Sequence, residues 1–449
     1  MFHKILIANR GEIAVRIIRA CREMEIMTVA VYSEADKEAL HTQLADEAVC
    51  IGPAPVKDSY LNMEAIISAA IVTGAEAIHP GFGFLSENSR FANMCATCGI
   101  TFIGPSGDII DRMGNKSEAR KSMMEAGVPV IRGSKQALKD VEEGMQLAEE
   151  IGYPVIVKAS AGGGGKGMRV IRKPEAFREQ FLNAQLEARN GFGDDTMYLE
   201  QYIERPKHIE FQIAADQHGN VVHLYERDCS IQRKHQKVLE ESPACVLTDE
   251  LRRKMGETAV KAAKAIGYYS MGTVEFLLDA NQNFYFMEMN TRIQVEHPVT
   301  EMVTDTDLIR EMICIAAGEP LSFKQEDIHL VGHALECRVN AEDPNHGFRP
   351  SPGQIENIHI PGGNGIRVDT AMFQGYEIPP YYDSMIAKLI VKGKDREDAI
   401  AKMRSALGEF VVEGVMTNLD FQYEILNHPK FTEGDFSTAF IEEEYPELL

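Results

Sequence analysis

The chain has 449 residues, 44% of them hydrophobic and 25% charged, which is too long for one simple core and implies two to four folded domains. Against 46 lysines and arginines stand 68 aspartates and glutamates, and the net charge of −22 argues against nonspecific binding to nucleic acid or to an anionic membrane surface. No run of about 20 apolar residues appears, so no membrane span is expected. The eight cysteines are scattered through apolar runs and read as reduced core residues of a cytoplasmic protein. Cys95 and Cys98 form a C-x-x-C pair, but the second pair that a structural zinc requires does not follow.

From the N-terminus, strand patterns at Lys4–Ala8, Thr28–Tyr32, Glu47–Ile51, Ala75–His79 and Thr101–Ile103 alternate with helix patterns at Glu12–Glu23, Leu61–Val72 and Ser86–Cys98. Alternation of this kind predicts a parallel sheet covered on both faces. In the first helix Ile13, Ile17, Ile18 and Cys21 form the apolar stripe, and Arg16, Arg19 and Glu23 read as a solvated face. The first turn has a single glycine, Gly11, so the dinucleotide fingerprint is missing and a nicotinamide cofactor is not expected.

Ser106 to Gly127 reads as a helical connector. A small α/β unit from about Pro129 to Ile203 contains two strands joined by Ala161-Gly162-Gly163-Gly164-Gly165-Lys166-Gly167. Glycines around a lysine let backbone N–H groups approach phosphate oxygens, and a hairpin of that composition suits a mobile lid over a triphosphate. The strand Met197–Ile203 carries Glu200, which could accept from an adenine amine. Longer, antiparallel strands follow from Pro206, and Thr273–Leu278 and Phe284–Asn290 flank the hairpin loop Asp279–Asn283. After Leu330 come short strands with Pro/Gly turns and a helix at Arg396–Leu407, a mixed β-rich region.

Two segments carry the chemistry. Glu226–Lys237 is densely polar; Arg233, Lys234, His235 and Lys237 make it locally basic, and by pattern alone it reads as a solvated face. In Glu288–Pro298 (EMNTRIQVEHP), an extended backbone would set Glu288, Asn290, Arg292, Gln294 and Glu296 on one side. Glu275 and Glu288, on the two arms of the hairpin, are hard oxygen donors suited to magnesium.

The strings KILIANRG (Lys4–Gly11), HPGFGFLSEN (His79–Asn88), KASAGGGGKGM (Lys158–Met168), ERDCSIQRKHQK (Glu226–Lys237), EMNTRIQVEHPVT (Glu288–Thr300), ECRVNAEDP (Glu336–Pro344) and YYDSM (Tyr381–Met385) occur in this order and span nearly the whole chain. Together they resemble the biotin carboxylase family of the ATP-grasp superfamily. The resemblance implies a multidomain α/β and α+β fold: a Rossmann-like domain over 1–113, an ATP-grasp domain over 114–330 with a mobile lid at about 130–203, and a mixed β-rich C-terminal domain over 331–449. It implies that Lys116, Lys158, Gly163, Gly164, Gly165, Lys166, Gly167, Glu200, Ile203, His208, Gln232, His235, Glu275 and Glu288 bind ATP. Glu275, Glu288 and Asn290 would hold Mg2+ or Mn2+. Lys237, Arg292, Gln294, Val295 and Glu296 would bind bicarbonate, with Glu296 as general base. Arg338 would steady the biotin enolate, with Asp383 a further candidate and Phe82 given no role there.

The implied reaction is ATP- and bicarbonate-dependent carboxylation of biotin through carboxyphosphate, the first half-reaction of an acetyl-CoA carboxylase in fatty acid biosynthesis. Alternatives are the equivalent subunit of a two-chain pyruvate or other acyl-CoA carboxylase, and another bicarbonate-activating ATP-grasp ligase. The chain has no Met-Lys-Met biotinylation motif. Biotin is therefore expected on a separate biotin carboxyl carrier protein, with separate carboxyltransferase subunits, and the first helix resembles the family's homodimer interface.

Overall fold

Ile5, Leu6 and Ile7 lose all solvent exposure because Lys4–Ile7 is the central strand of a parallel sheet covered on both faces. Five strands lie in the order Glu47–Gly52, Met27–Ser33, Lys4–Ile7, Ala77–His79, Thr101–Phe102, and their pairing is parallel, as the alternation of patterns predicts. The computed structural model describes residues 1–159, 167–192 and 194–448. Helix Gly11–Glu23 lays Ile13, Ile17, Ile18 and Cys21 into the core on one face of the sheet. Helices Met63–Thr73 and Ser89–Thr97 pack Ile66, Ile67, Phe91 and Cys95 against the other.

Both of those helices begin later than their hydrophobic patterns predict. The reason is local: Asn62 and Asn88 are N-caps, accepting from the N–H groups of Ala65 and Phe91 at 3.0 and 2.9 Å. The connector after Ser106 is likewise two helices, Gly107–Gly114 and Lys116–Glu125, separated at Asn115, whose Oδ1 caps the second. Arg16 departs from the expected solvated face. It is buried and donates to Glu301 at 3.0 Å and Asp307 at 2.7 Å, whereas Arg19 and Glu23 are exposed.

The chain divides into two compact units. One comprises Met1–Val128, Lys207–Phe276 and Glu288–Leu449. Most of a second sheet belongs to it, eight strands in the order Phe284–Asn290, Ser270–Leu278, Lys207–Ala215, Val221–Arg233, Gln236–Ser242, His333–Asn340, Met385–Gly393, Ile366–Thr370, of which residues 277–278 and 284–287 count with the other unit. The β-rich C-terminal region therefore extends the sheet begun by the central strands. Helix Arg396–Glu409 covers it with Ile400, Met403 and Leu407.

The other unit, Pro129–Pro206 with Leu277–Met287, holds a three-stranded antiparallel sheet ordered Met168–Ile171, Val155–Ala159, Met197–Gln201. Helices Val141–Ile151 and Phe177–Phe192 close its core around Val155, Val157, Phe177, Phe181 and Leu199. Among the described residues no helix is long and apolar enough to cross a membrane.

Candidate active site

Strand Lys207–Ala215 is buried at all nine positions, so the side chains on its polar face must be satisfied internally. His208, Glu210 and Gln212 alternate along that face. Antiparallel pairing sets Arg227 opposite Glu210. Arg227 is fully buried and donates to Glu210 (2.6 Å), Gln212 (2.8 Å), Thr300 (2.9 Å), Thr273 (3.2 Å) and Gln294 (2.7 Å). The run Glu226–Lys237 is thus no solvated face. Only its turn is exposed, where Lys234 and His235 take φ of +48° and +65° between the paired residues Arg233 and Gln236.

Lys237 follows that turn, and its ammonium uses each of its three donors on a different carboxylate: Glu210 at 2.5 Å, Glu296 at 2.6 Å and Glu275 at 3.1 Å. Burial disfavours the charged amine, but Glu210, Glu275 and Glu296 outweigh it and hold its pKa well above the lysine range. Glu275 is the most heavily used acceptor. Its Oε1 also takes the amides of Asn290 (2.8 Å) and Gln294 (2.7 Å), and its Oε2 lies 3.1 Å from His208 Nε2. Burial opposes its ionisation, yet Lys237 and His208 keep it below the usual carboxylate range.

The segment after Asn290 is not the extended row its alternation suggests. The strand ends at Asn290, and Glu296 becomes the N-cap of helix His297–Thr304, with φ −81° and ψ 12°. Asn290, Gln294 and Glu296 still converge, because the irregular segment folds back onto Glu275 and Lys237. Burial raises the Glu296 carboxyl, but Lys237 and then Arg338 bring it below its ordinary value, so it is ionised at neutral pH. Arg338 reaches the second Glu296 oxygen at 2.8 Å and Glu240 at 2.6 Å. Arg292 points elsewhere, donating to Glu87 at 2.8 Å and to Asn290 Oδ1 at 3.2 Å. The Val295 carbonyl accepts from Lys388 at 2.9 Å.

Among the described residues two groups have donor atoms close enough to share a metal ion: His208, Glu210 and Glu275, and Glu210, Cys229 and Glu296. Glu288 is in neither. Burial and the negative charge of Glu275 raise its pKa, with Lys116 offsetting them. Glu275 opposes the ionisation of its neighbour Glu288, and two such acids are hard oxygen donors whose repulsion a magnesium ion would relieve, whereas Asn290 turns its amide N–H to Glu275 and its Oδ1 to Arg292 and would have to rotate to join them.

The remaining expected nucleotide residues fall in both units. Lys158 pairs with Glu200 at 2.5 Å within the small unit, so each satisfies the other. Ile203 is buried two residues beyond the strand Met197–Gln201. Gly167 requires glycine: its φ is +71° and a Cβ would meet the Ala159 methyl at 2.9 Å. Gly163, Gly164, Gly165 and Lys166 lie outside the described residues. Gln232 turns its amide to His208 Nδ1 at 3.0 Å and to the Cys229 carbonyl at 2.8 Å. That arrangement puts the His208 proton on Nε2, facing Glu275. Burial works against a second proton, but Glu275 pulls the ring up to about 9, so protonation at Nδ1 would require Gln232 to turn. Lys116, His235 and Asp383 are exposed, and Asp383 accepts from the N–H of Met385. Phe82 packs partly buried against the core beside the first helix.

The match to family models covers the chain in three pieces. Residues 1–110 match the biotin carboxylase N-terminal domain, 115–324 the ATP-binding domain of the carbamoyl-phosphate synthase L chain, and 336–443 the biotin carboxylase C-terminal domain. Biotin carboxylase 1 of Bacillus subtilis is 59% identical over 443 residues, covering 98% of both chains. The chain belongs to the biotin carboxylase family. It is therefore an enzyme of the ATP-dependent carboxylases, in the ligase class, and its fold is the one that family's solved structures share.

One of the pyruvate carboxylase subunits of Methanothermobacter thermautotrophicus is 54% identical, over 99% of this chain and 90% of that protein. The biotin carboxylase domain dimer of the Hydrogenobacter thermophilus 2-oxoglutarate carboxylase, solved with MgADP, ADP and bicarbonate, superposes with a TM-score of 0.92 at 53% identity, over 100% and 99% of the two chains.

The sequence pattern did not single out Glu210, Arg227, Glu240 and Glu87, which anchor the residues it did select. A signal for Glu210 was present: His208, Glu210 and Gln212 alternate with Ile209, Phe211 and Ile213, the pattern of a strand with one apolar and one polar face.

Proposed function

We propose that the chain carboxylates the ureido nitrogen of biotin with bicarbonate and ATP, and that Lys237, Glu296 and Arg338 carry the chemistry. The observation behind this reading is the continuous contact Lys237–Glu296–Arg338, which joins an anion-holding cation, a buried ionised base and a second cation, the two cations each partly buried. Lys237, Arg292, Gln294 and the Val295 N–H would receive bicarbonate, Arg292 through its terminal nitrogens while its Nε–H stays on Glu87. Glu296, ionised and adjacent, takes the bicarbonate proton, so that the anion attacks the γ-phosphoryl group held in line. Glu275, Glu288 and Asn290 would hold Mg2+ or Mn2+, which when bound neutralises charge on the phosphate oxygens.

Carboxyphosphate then releases CO2 and phosphate, and the phosphate takes the proton of the biotin nitrogen. Arg338 stabilises the resulting ureido oxyanion while the nitrogen captures CO2. On the nucleotide side, the reading gives Lys116, Lys158, Glu200, Ile203, His208, Gln232, His235 and the 163–167 glycine loop to ATP. It keeps domain limits at 1–113, 114–330 and 331–449.

Biotin is proposed to arrive on a separate carrier protein, in the cytoplasm, with separate carboxyltransferase subunits and a second copy of this chain as dimer partner. Acetyl-CoA is proposed as the final acceptor. Pyruvate is the competing reading, because the relative named for pyruvate is nearly as similar as those named only for biotin. The test is ADP release in bicarbonate, with and without free biotin. Stimulation by biotin supports the reading, and turnover indifferent to biotin points to another bicarbonate-activating ligase. An assay with each candidate acyl-CoA and with pyruvate, reconstituted with the co-purifying carrier and transferase, then decides the acceptor.

A further inference from the structure

The strands Gln236–Ser242, His333–Asn340, Met385–Gly393 and Ile366–Thr370 carry charge on one face where apolar residues would pack more cheaply. Register sets Glu240 opposite Glu336, and sets Arg338 and Asp369 on either side of Lys388. Glu240 and Arg338 reach Glu296 directly or through one contact, but Lys388 has no part in the reaction described above. It has no solvent exposure, and burying an ammonium costs several kcal/mol. A methionine would fill the same space without that cost, so the charge needs a reason.

Its contacts supply one. Lys388 Nζ donates to the Val295 carbonyl at 2.9 Å and lies 3.2 Å from Glu12 and 3.8 Å from Asp369. Burial works against its charge, but Glu12, Glu336 and Asp369 more than offset this and keep it protonated. The segment 291–296 belongs to no strand or helix, so no ladder of backbone bonds holds it. The carbonyl of Val295 lies in the peptide that leads into Glu296. Fixing that carbonyl fixes ψ of Val295 and φ of Glu296, and hence the direction in which the Glu296 side chain leaves the backbone.

We propose that Lys388 is a positioning residue for the general base: by clamping the Val295–Glu296 peptide from the sheet strand Met385–Gly393, with Glu12 and Asp369 steadying its ammonium, it aims Glu296 at bicarbonate. The inference rests on the reading of Glu296 as the base. A displacement of about 1 Å at a reacting group costs on the order of 100-fold.

The experiment compares Lys388→Met, Lys388→Arg and Glu296→Gln in the full chain, measuring bicarbonate-dependent ADP release at varied bicarbonate and at varied ATP. Lys388→Met is expected to lower kcat/KM for bicarbonate about 100-fold with KM for ATP within about twofold, and Lys388→Arg, which keeps a donor for Val295, to regain at least tenfold of that loss. A packing role would spare kcat/KM per folded molecule, or would penalise the bulkier Arg more than Met; either result overturns the proposal. If Lys388→Met does not fold, Lys388→Met with Glu12→Gln removes the stranded carboxylate, and the same ratios are read from it. Turnover retained by Glu296→Gln would instead overturn the reading of the base, whereas an inactive Glu296→Gln beside an unaffected Lys388→Met rejects the role of Lys388 alone.

Discussion

Arg292 gives its Nε–H to Glu87 at 2.8 Å, and the same carboxylate takes the N–H and the hydroxyl of Thr291 at 3.0 and 3.2 Å. The loop after the fourth strand of the parallel sheet thus fixes the start of the segment that leads to Glu296. Both partners are partly exposed, so the pair contributes at most about 1 kcal/mol to stability. Its larger consequence is for the orientation of Arg292 toward bicarbonate. Glu87→Gln is expected to leave the unfolding midpoint nearly unchanged and to raise KM for bicarbonate about fivefold, the equivalent of about 1 kcal/mol of lost orientation. A wild-type KM in that variant would show that Arg292 is positioned without Glu87.

Glu296→Gln keeps the shape at the head of its helix and removes the charge that Lys237 and Arg338 share. The amide cannot take a proton from bicarbonate. Bicarbonate-dependent ATP turnover is expected to fall about 100- to 10,000-fold, with nucleotide affinity measured by titration unchanged. An active variant removes Glu296 from the base role.

Arg338→Ala separates the two halves of the reaction. With Arg338 gone, carboxylation of free biotin should fall further than bicarbonate-dependent ATP cleavage. ATP cleavage should also fall somewhat, because Arg338 holds the second oxygen of Glu296 at 2.8 Å. The ratio of carboxybiotin to ADP is the informative quantity. Equal loss of both rates would contradict a late role for Arg338.

How much of this was legible in the sequence varied with what each signal depends on. The parallel sheet was legible because buried strands and amphipathic helices alternate at short range, and the 273–290 hairpin because Asp279–Asn283 is a turn sequence that closes on itself through Asp279 and Asn283. The Glu288–Glu296 row was half legible. Asn290, Gln294 and Glu296 do converge, but by a reversal after Asn290 that period-two reasoning cannot see, and Arg292 turns to Glu87 instead. Arg16 and Arg227 were read as surface or passed over because both partners of the first, Glu301 and Asp307, and three of the five of the second, Thr273, Gln294 and Thr300, lie at least 46 residues away. Long-range ion pairs leave no local period. The membership of His333–Asn340 and Met385–Gly393 in the large sheet was hidden for the same reason: which strand edge a strand joins is decided by tertiary pairing.

Arg227 is the main structural cation beneath the site. Arg227→Met would fill much of the same volume but leave Glu210 with Lys237 as its main cation, and Gln294, Thr273 and Thr300 without their donor. Breaking one side of a buried pair costs about 3–5 kcal/mol. Urea unfolding should show that loss at unchanged m-value, together with a raised KM for bicarbonate because Gln294 is released. A stability change under about 1 kcal/mol would mean that the pocket reorganises around the missing charge.

Acid stability isolates a carboxylate away from the reaction. Glu241 accepts from His333 Nε2 at 3.0 Å and Arg396 Nε at 2.7 Å, and is almost wholly buried. Burial pushes its pKa up, but the His333 hydrogen bond and the Arg396 charge outweigh it and bring it down to about 2. A carboxyl depressed in the folded state stabilises the protein above the unfolded value of about 4.3, and that contribution disappears as pH falls from there toward 2. A shift of that size corresponds to about 3 kcal/mol at neutral pH. Glu241→Gln should therefore be less stable than wild type by roughly that amount at pH 6, and the gap should narrow steadily between about pH 4.5 and 2. Urea midpoints across that range measure it, and a gap that stays constant with pH would assign the loss to packing rather than to the charge of Glu241.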